Sequence, residues 1–242
     1  MDKNVYLRMA KQDDKHWWFV ARRRILQDQI AALRLPPGAR VLEAGCGPGG
    51  NLAMLSEFGQ LDAFELDEGA RQVASARFGI EVRHGELPGD IGFEPGSFDL
   101  IAALDVIEHI DADLESVQAL TKLLRPGARL IITTPAYPWL WSVHDDRHHH
   151  KRRYTRPEVR ELIGEAGLVI EKCSYFNTIL FPLIVGIRFF KKLASITDKP
   201  DDDMPPPFLN AVLARIFGAE RFALRHLSLP FGVSVLCIAR QR

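Results

Sequence analysis

A doubly wound α/β fold built on a parallel sheet is predicted by three observations. Strand-like and helix-like segments alternate over about 100 residues. A glycine-rich turn, Gly45-Cys46-Gly47-Pro48-Gly49-Gly50, follows the first apolar strand. Successive apolar runs end in carboxylates, at the edge where open α/β sheets bind ligands.

Taken in order, Asp13 or Asp14 can cap a helix running to about Leu33, with Phe19, Leu26, Ile30 and Leu33 as its apolar stripe. Adjacent residues on a helix point in different directions, so at most one of Trp17 and Trp18 belongs to that stripe. The pair either packs on the domain surface or forms a flap over the site. Arg22, Arg23 and Arg24 read most simply as a solvated face, with an anionic substrate or lipid headgroup as the alternative. Pro36-Pro37-Gly38 ends the helix, Val41-Leu42-Glu43-Ala44 is the first strand, and residues 51–58 suit a helix after the glycine turn. A second strand over 61–65 closes with Glu65, and a helix from Ala70 to Phe78 leads to a third strand over 80–83. Pro95-Gly96-Ser97 turns into a buried strand over 98–105, which delivers Asp105, Val106, Glu108 and His109 to the sheet edge. Leu114, Val117, Thr121 and Leu124 mark a helix stopped by Arg125-Pro126-Gly127. Residues 129–134 are the fifth strand, Arg156-Pro157-Glu158 opens a helix ended by Gly167, and 168–175 are the sixth strand. Before a last strand over 233–239 lies an insertion, 178–228. It holds an apolar run with a basic end, an acidic proline-rich linker over 198–207, and a helix marked by Leu209, Val212, Leu213, Ile216, Phe217 and Leu224.

The glycine turn reads as a cofactor cradle in a Rossmann-like sheet. Gly45, Gly47 and Gly50 also satisfy the dinucleotide pattern, which makes NAD the competitor. Glu43 discriminates: it stands two positions before the first glycine, where its charge opposes a phosphate and suits a cation. S-adenosylmethionine (SAM) carries an ammonium and a sulfonium and no phosphate, so it fits better. Glu65 can accept hydrogen bonds from both hydroxyls of a ribose. Glu86 and Leu87, at the third strand's end, can bracket an adenine by its amino group and its face.

Composition is ordinary for a globular chain: 242 residues, 47% hydrophobic, 26% charged and no formal net charge, so nothing draws it globally toward nucleic acid. Cys46, Cys173 and Cys237 are widely spaced in apolar runs and indicate neither a disulfide framework nor a zinc site. Residues 1–15 are charged and lack the apolar core of a secretory signal, so a cytoplasmic protein is expected.

With these motifs in order, residues 41 to about 177 and the last strand resemble the class I SAM-dependent methyltransferases. Residues 41–49 resemble their glycine motif, Phe64 to Asp67 their ribose-acid region, Gly85-Glu86-Leu87 their adenine motif, Ser97 to His109 their fourth-strand motif, and Leu123 to Gly127 the turn before their fifth strand. Glu43 and Glu65 stand where Asp is usual, and Ala128 where a second glycine is common. The resemblance implies a seven-stranded sheet with an antiparallel last strand; to this the chain adds an N-terminal helical cap over 1–35 and, as a departure from a minimal methyltransferase, the helical insertion over 178–228. The resemblance puts the cofactor against Glu43, Gly45, Cys46, Gly47, Gly49, Glu65, Leu66, Glu86, Leu87, Asp105 and Val106.

The segment after the fifth strand resembles a bacterial subgroup, of the type 11/12-like kind, whose loop reads H-D, four residues, H-x-R-R-Y. Here the match falls on His144, Asp145, His150, Arg152, Arg153 and Tyr154. An imidazole can take a proton from a hydroxyl as a methyl arrives, and a neighbouring carboxylate can orient it, so His144 or His150 is the expected base with Asp145 as partner. Arg152 and Arg153 suit an anionic acceptor, and Trp17, Trp18, Tyr137 and Tyr154 join them as expected acceptor contacts. A divalent metal on His144, Asp145 and His148 to His150, or a merely solvated basic loop, are alternatives; no recognisable zinc spacing is present, and no metal is expected. The uncharged run from Ser174 to Ile187 is too short for a bilayer span and suits a packing or dimer contact, an acceptor wall, or a membrane surface. The expectation is therefore a SAM-dependent methyltransferase acting on a small or lipid-like acceptor, at oxygen in preference to carbon or nitrogen. The competing readings are a non-catalytic SAM-binding assembly protein and an NAD-dependent oxidoreductase.

Overall fold

Apolar alternation in the strands decides which side chains face each side of the sheet, and strand register decides where the polar ends emerge. The computed structural model describes residues 10, 12–89, 91–193 and 204–242. Its strands are β1 (Arg40–Ala44), β2 (Gln60–Glu65), β3 (Val82–His84), β4 (Phe98–Leu104), β5 (Leu124–Pro135), β6 (Val169–Phe176) and β7 (Ser234–Arg240). They form one seven-stranded sheet in the order β3-β2-β1-β4-β5-β7-β6. Strands β1 to β5 are parallel, while β7 runs antiparallel between β5 and β6. The order reverses between β1 and β4, and at such a switch point the flanking loops diverge and leave a crevice.

The helices are α1 (Trp17–Ala32), α2 (Leu52–Ser56), α3 (Glu68–Phe78), α4 (Asp113–Leu123), α5 (Val143–His148), α6 (Arg156–Glu165), α7 (Phe181–Leu193) and α8 (Pro207–Leu224). Local chemistry sets several ends. Asp67 caps α3 by accepting from the Ala70 amide at 2.8 Å, and Gly79 stops it with φ +65°. Thr155 and Glu158 form a capping box on α6. Helix α1 begins later than its sequence suggests: His16, not Asp13 or Asp14, is its N-cap. Asp13 is buried instead against the Arg77 guanidinium, at 2.8 and 2.9 Å, which ties the segment before α1 to α3.

Alternate residues of each strand feed two cores. Leu42, Ala44, Ile101, Ala103, Leu130 and Ile132 pack with Val117 and Leu120 of α4 and Val159 and Ile163 of α6. Val41, Leu100, Ala102, Ile131, Leu236 and Ile238 pack with Ile25, Leu26 and Ile30 of α1 and Phe217 and Leu224 of α8. The N-terminal helix and the second helix of the insertion thus build one layer together. Asn210 of α8 fastens them by accepting from the Trp17 amide and donating to the Lys15 carbonyl, both at 2.8 Å. Of the expected linker, residues 198–203 lie outside the described residues. Among the described residues, no helix is long and apolar enough to cross a membrane.

Phe217 is fully buried between α1 and the sheet. Phe217→Ala is expected to cost about 3–5 kcal/mol, the usual range for a truncated core aromatic, as read by urea unfolding; a loss under about 1 kcal/mol would mean that α8 is not part of the cooperative core.

Candidate active site

The carboxyl edge of β1, β2 and β4 opens into a cavity of about 900 Å³, walled also by α1, α7 and the segment around α5. Gly45 leaves β1 at φ +63°, and a Cβ there would lie 3.0 Å from Val106 Cγ1. Gly47 turns at φ +54° with nothing within 4 Å of its would-be Cβ, so its bare backbone faces open space. Glu65 binds the same turn: one carboxylate oxygen accepts from the Gly47 amide at 2.8 Å and the other from the Asp67 amide at 2.9 Å. Each oxygen retains acceptor capacity for a ligand hydroxyl. Cys46, Leu66, Glu86, Leu87, Asp105 and Val106 line the cavity as well.

Two acids at this edge carry unmatched polar atoms. Glu43 is buried, with one oxygen accepting from Asn51 Nδ2 at 2.9 Å and the other without a partner. Burial pushes its carboxyl up to about 7, against the pull of the Asn51 hydrogen bond and the Arg22 charge. Glu108 is fully buried in the turn after β4, and no other residue donates a hydrogen bond to either of its carboxylate oxygens. Burial and then the nearby Asp105 charge raise this carboxyl well above its ordinary value. Asp105 itself stands at φ +60°, an uncommon conformation for a residue other than glycine. Arg22 reaches it from α1 at 2.7 Å and also donates to Thr133 Oγ1 at 2.8 Å, with Trp18 packed against the guanidinium.

Across the cavity, the Ser142–Asp145 capping box starts α5 and turns the Asp145 carboxylate inward, where it is fully buried. Its Oδ1 lies 2.8 Å from His150 Nδ1 and 2.8 Å from Arg153 Nε, while Oδ2 accepts from Arg153 at 2.9 Å. Burial by itself would raise this carboxyl; the hydrogen bonds from His150 and Arg153 outweigh it and hold the group well below the usual carboxylate range. His144 stacks on His148 at 4.1 Å, and burial, then the His148 charge, press its pKa well down. His109 meets His150 edge to face at 4.7 Å; burial and the neighbouring imidazoles lower its pKa to about 3.

A family model described as "Methyltransferase domain" matches residues 18–172, which contain the glycine turn, the acids and the Asp145–His150 pair. The chain belongs to this methyltransferase family. A Mycolicibacterium smegmatis protein named "Probable S-adenosylmethionine-dependent methyltransferase" is 28% identical over 162 residues, covering 65% of this chain and 62% of that one. A ubiquinone biosynthesis O-methyltransferase of Xanthomonas campestris is 31% identical over 113 residues, 44% of this chain and 47% of that one. The chain thus spans about half to two thirds of the length of these curated relatives. In fold, a Haloferax volcanii methyltransferase solved with the Trm112 methyltransferase activator superposes with a TM-score of 0.64 at 17% identity, over 98% of this chain and 94% of that one.

The methyltransferase cofactor is SAM, and the NAD alternative falls away. The cavity fits SAM on its own terms, because Gly47 leaves room at the turn, Glu65 keeps acceptor capacity beside it, and the unpartnered Glu43 oxygen awaits a cationic donor. Several expected contacts lie outside the cavity or, as with Arg153 in its wall, are committed to internal partners. Gly49 packs behind the wall, where a Cβ would sit 2.8 Å from Leu52 and Phe78. Arg153 is buried and spent on Asp145 and the Ala136 carbonyl. Arg152 and the Tyr154 hydroxyl both donate to Asp113 Oδ2, at 2.8 and 2.7 Å, and Tyr137 stacks on Tyr175 at 4.9 Å. The anionic-acceptor expectation therefore loses both of its arginines to internal carboxylates. Asp145 orients His150 and not its chain neighbour His144. Trp17 and Trp18 do line the cavity, and Arg22, read as a solvated face, is buried in its wall. Asn51 and Arg22, which line the cavity and contact Glu43 and Asp105, are the candidate site residues that sequence reasoning missed; the carboxamide directly after the glycine motif was the available signal for Asn51.

The unfolded chain releases the Glu43 proton near 4.5 and the folded one near 7, so between those values the folded state binds more protons and stability falls as pH rises. Glu43→Gln should remove that slope, gaining on the order of 2–3 kcal/mol above pH 7 in the ligand-free protein while weakening SAM at least about tenfold by loss of charge. Urea unfolding at pH 5 and 8, with SAM calorimetry, checks both; an unchanged pH slope would clear Glu43 of this role.

Proposed function

We propose that this chain transfers the methyl group of SAM to a hydroxyl oxygen of a small or lipid-like acceptor. The observation that carries this reading is the Asp145–His150 pair in the wall of the cavity that also holds the glycine turn. SAM supplies an electrophilic methyl; the chain has to present an oxygen and relieve it of its proton. With Nδ1 held by Asp145, His150 keeps Nε2 as the nitrogen able to accept that proton, and the carboxylate then stabilises the imidazolium. Arg153 holds Asp145 in place from the other side. His144 is the poorer base, because its ring stacks on His148 and burial, with the His148 charge, outweighs the pull of the Asp145 charge and keeps it neutral, while the Asp145 hydrogen bond goes to His150. Holding both reactants in one enclosed cavity supplies the rest of the rate.

The acceptor end supports an apolar body. Trp17, Trp18, Ile184 and Ile187 line it, which makes α7 an acceptor wall. The same helix leaves Leu183, Phe189 and Phe190 exposed on its outer side, a surface suited to peripheral contact with a membrane that holds such an acceptor. The relatives named as O-methyltransferases support oxygen as the target atom.

His150→Gln is expected to lower kcat by about 10²–10⁴ and leave SAM affinity within about twofold, whereas His144→Gln retains most turnover; equal losses in both would remove the assignment of the base. Labelled SAM supplied with separate lipid and aqueous extracts of the source cells should place label in the lipid fraction. Label in the aqueous fraction alone would replace the lipid-like acceptor with a soluble one.

A further inference from the structure

Glu108 is a buried acid that the methyl-transfer reading does not use. Its side chain is fully buried and no other residue donates a hydrogen bond to either oxygen, although burying a carboxylate is costly unless a cation or hydrogen bonds compensate. The nearby cations are committed elsewhere, Arg22 to Asp105 and Thr133, and Arg153 to Asp145 and the Ala136 carbonyl. What does approach Glu108 is a pair of imidazoles. One ligand atom each from Glu108, His109 and His150 lies within 4.8 Å of the others, on the wall of the cavity.

We propose that Glu108, His109 and His150 bind a divalent transition cation of the zinc class, and that this cation occupies the imidazole lone pair that methyl transfer requires. Two imidazoles and a carboxylate suit Zn²⁺, Co²⁺ or Ni²⁺, whereas Mg²⁺ and Ca²⁺ take oxygen donors. The supporting contacts match those of metal sites, in which a ligating histidine gives its other ring nitrogen to a carboxylate or carbonyl. His150 Nδ1 is held by Asp145, and Asp145 in turn by Arg153 and the Ser142 amide. The loop cannot drift from Glu108, because the Lys151 amide donates to the Glu108 carbonyl at 2.7 Å. Three protein ligands leave a coordination position open toward the cavity.

The functional consequence follows from one lone pair having two claimants. With Nδ1 committed to Asp145, the remaining His150 nitrogen takes either a proton from the acceptor or the cation. A bound cation therefore switches transfer off while the SAM end of the cavity, around Gly47 and Glu65, stays free. This second half rests on the transfer reading above; the binding site itself does not.

The test uses the full chain and Co²⁺, followed by its visible absorption, with Zn²⁺ as the displacing ion. One Co²⁺ per chain is expected, and Glu108→Gln, His109→Gln and His150→Gln should each weaken it at least about tenfold, while His226→Gln, at an exposed position, retains the parent affinity. The rise in Tm on adding SAM, preserved in each variant, shows that the variants are folded. Parent-like Co²⁺ affinity in Glu108→Gln and His109→Gln would overturn the site. Stoichiometric Zn²⁺ should abolish methyl transfer by the parent, with recovery on chelation and SAM affinity within about twofold; undiminished turnover with Zn²⁺ bound would overturn the competition. If the parent transfers no methyl to any extract, the transfer reading fails while the Co²⁺ titration still decides the site.

Discussion

Parallel strands deliver their terminal carboxylates to one edge, and a buried edge crowded with acids is unstable unless cations or protons reach it. Glu43, Glu65, Asp105 and Glu108 converge here around a single cavity. Each meets the constraint differently. Glu65 spends its charge on two backbone amides, Asp105 takes the Arg22 guanidinium, and Glu43 and Glu108 hold on to protons more tightly than exposed acids would. A cationic ligand end fits beside the half-satisfied Glu43 for the same electrostatic reason. Arg22 ties this balance to α1, so the N-terminal helix is part of the site and not a cover laid over it.

Asp145 plays the corresponding part on the acceptor side. A capping box holds its carboxylate at the start of α5, and its hydrogen bonds go to Ser142, Arg153 and His150 and not to His144. The freed oxygens then gather Arg153 and His150 from farther along the chain. Arg152 and Tyr154 meet on Asp113 of α4, which moors the same loop to the far side of the sheet. The basic, aromatic motif is therefore largely a frame. Its charge is consumed in holding one imidazole at a fixed place, a requirement for any group that must meet a proton in a defined line.

Much of this fold was legible because its signals are local. The strand and helix assignments over 40–176 and the last strand's reversed direction agree with the structure, within a residue or two at most ends, except that β5 starts at Leu124 instead of Arg129 and α5 stands where no helix was expected. The glycine turn, Glu43 and Glu65 were legible as a site for the same reason, since backbone conformation and charge at a strand end depend on few neighbours. The failures came where partners are distant in sequence. Asp13 looked like a cap but pairs with Arg77, and Arg22 looked solvated but reaches Asp105 and Thr133. Arg152 and Arg153 looked like ligand-binding cations but answer internal acids.

By itself, then, the sequence determined the doubly wound sheet, the methyltransferase cofactor and the glycine turn and strand-end acids that line the cavity, because periodicity, glycine conformation and charge sign are properties of short stretches. Only the tertiary structure decided that the N-terminal helix and α8 form one layer, and that His150 rather than His144 is served by Asp145. It alone brought Glu108 and His109 to His150. These are long-range pairings, set by how two loops leave adjacent strands and by which buried charge finds which partner, and no spacing within a single segment encodes them.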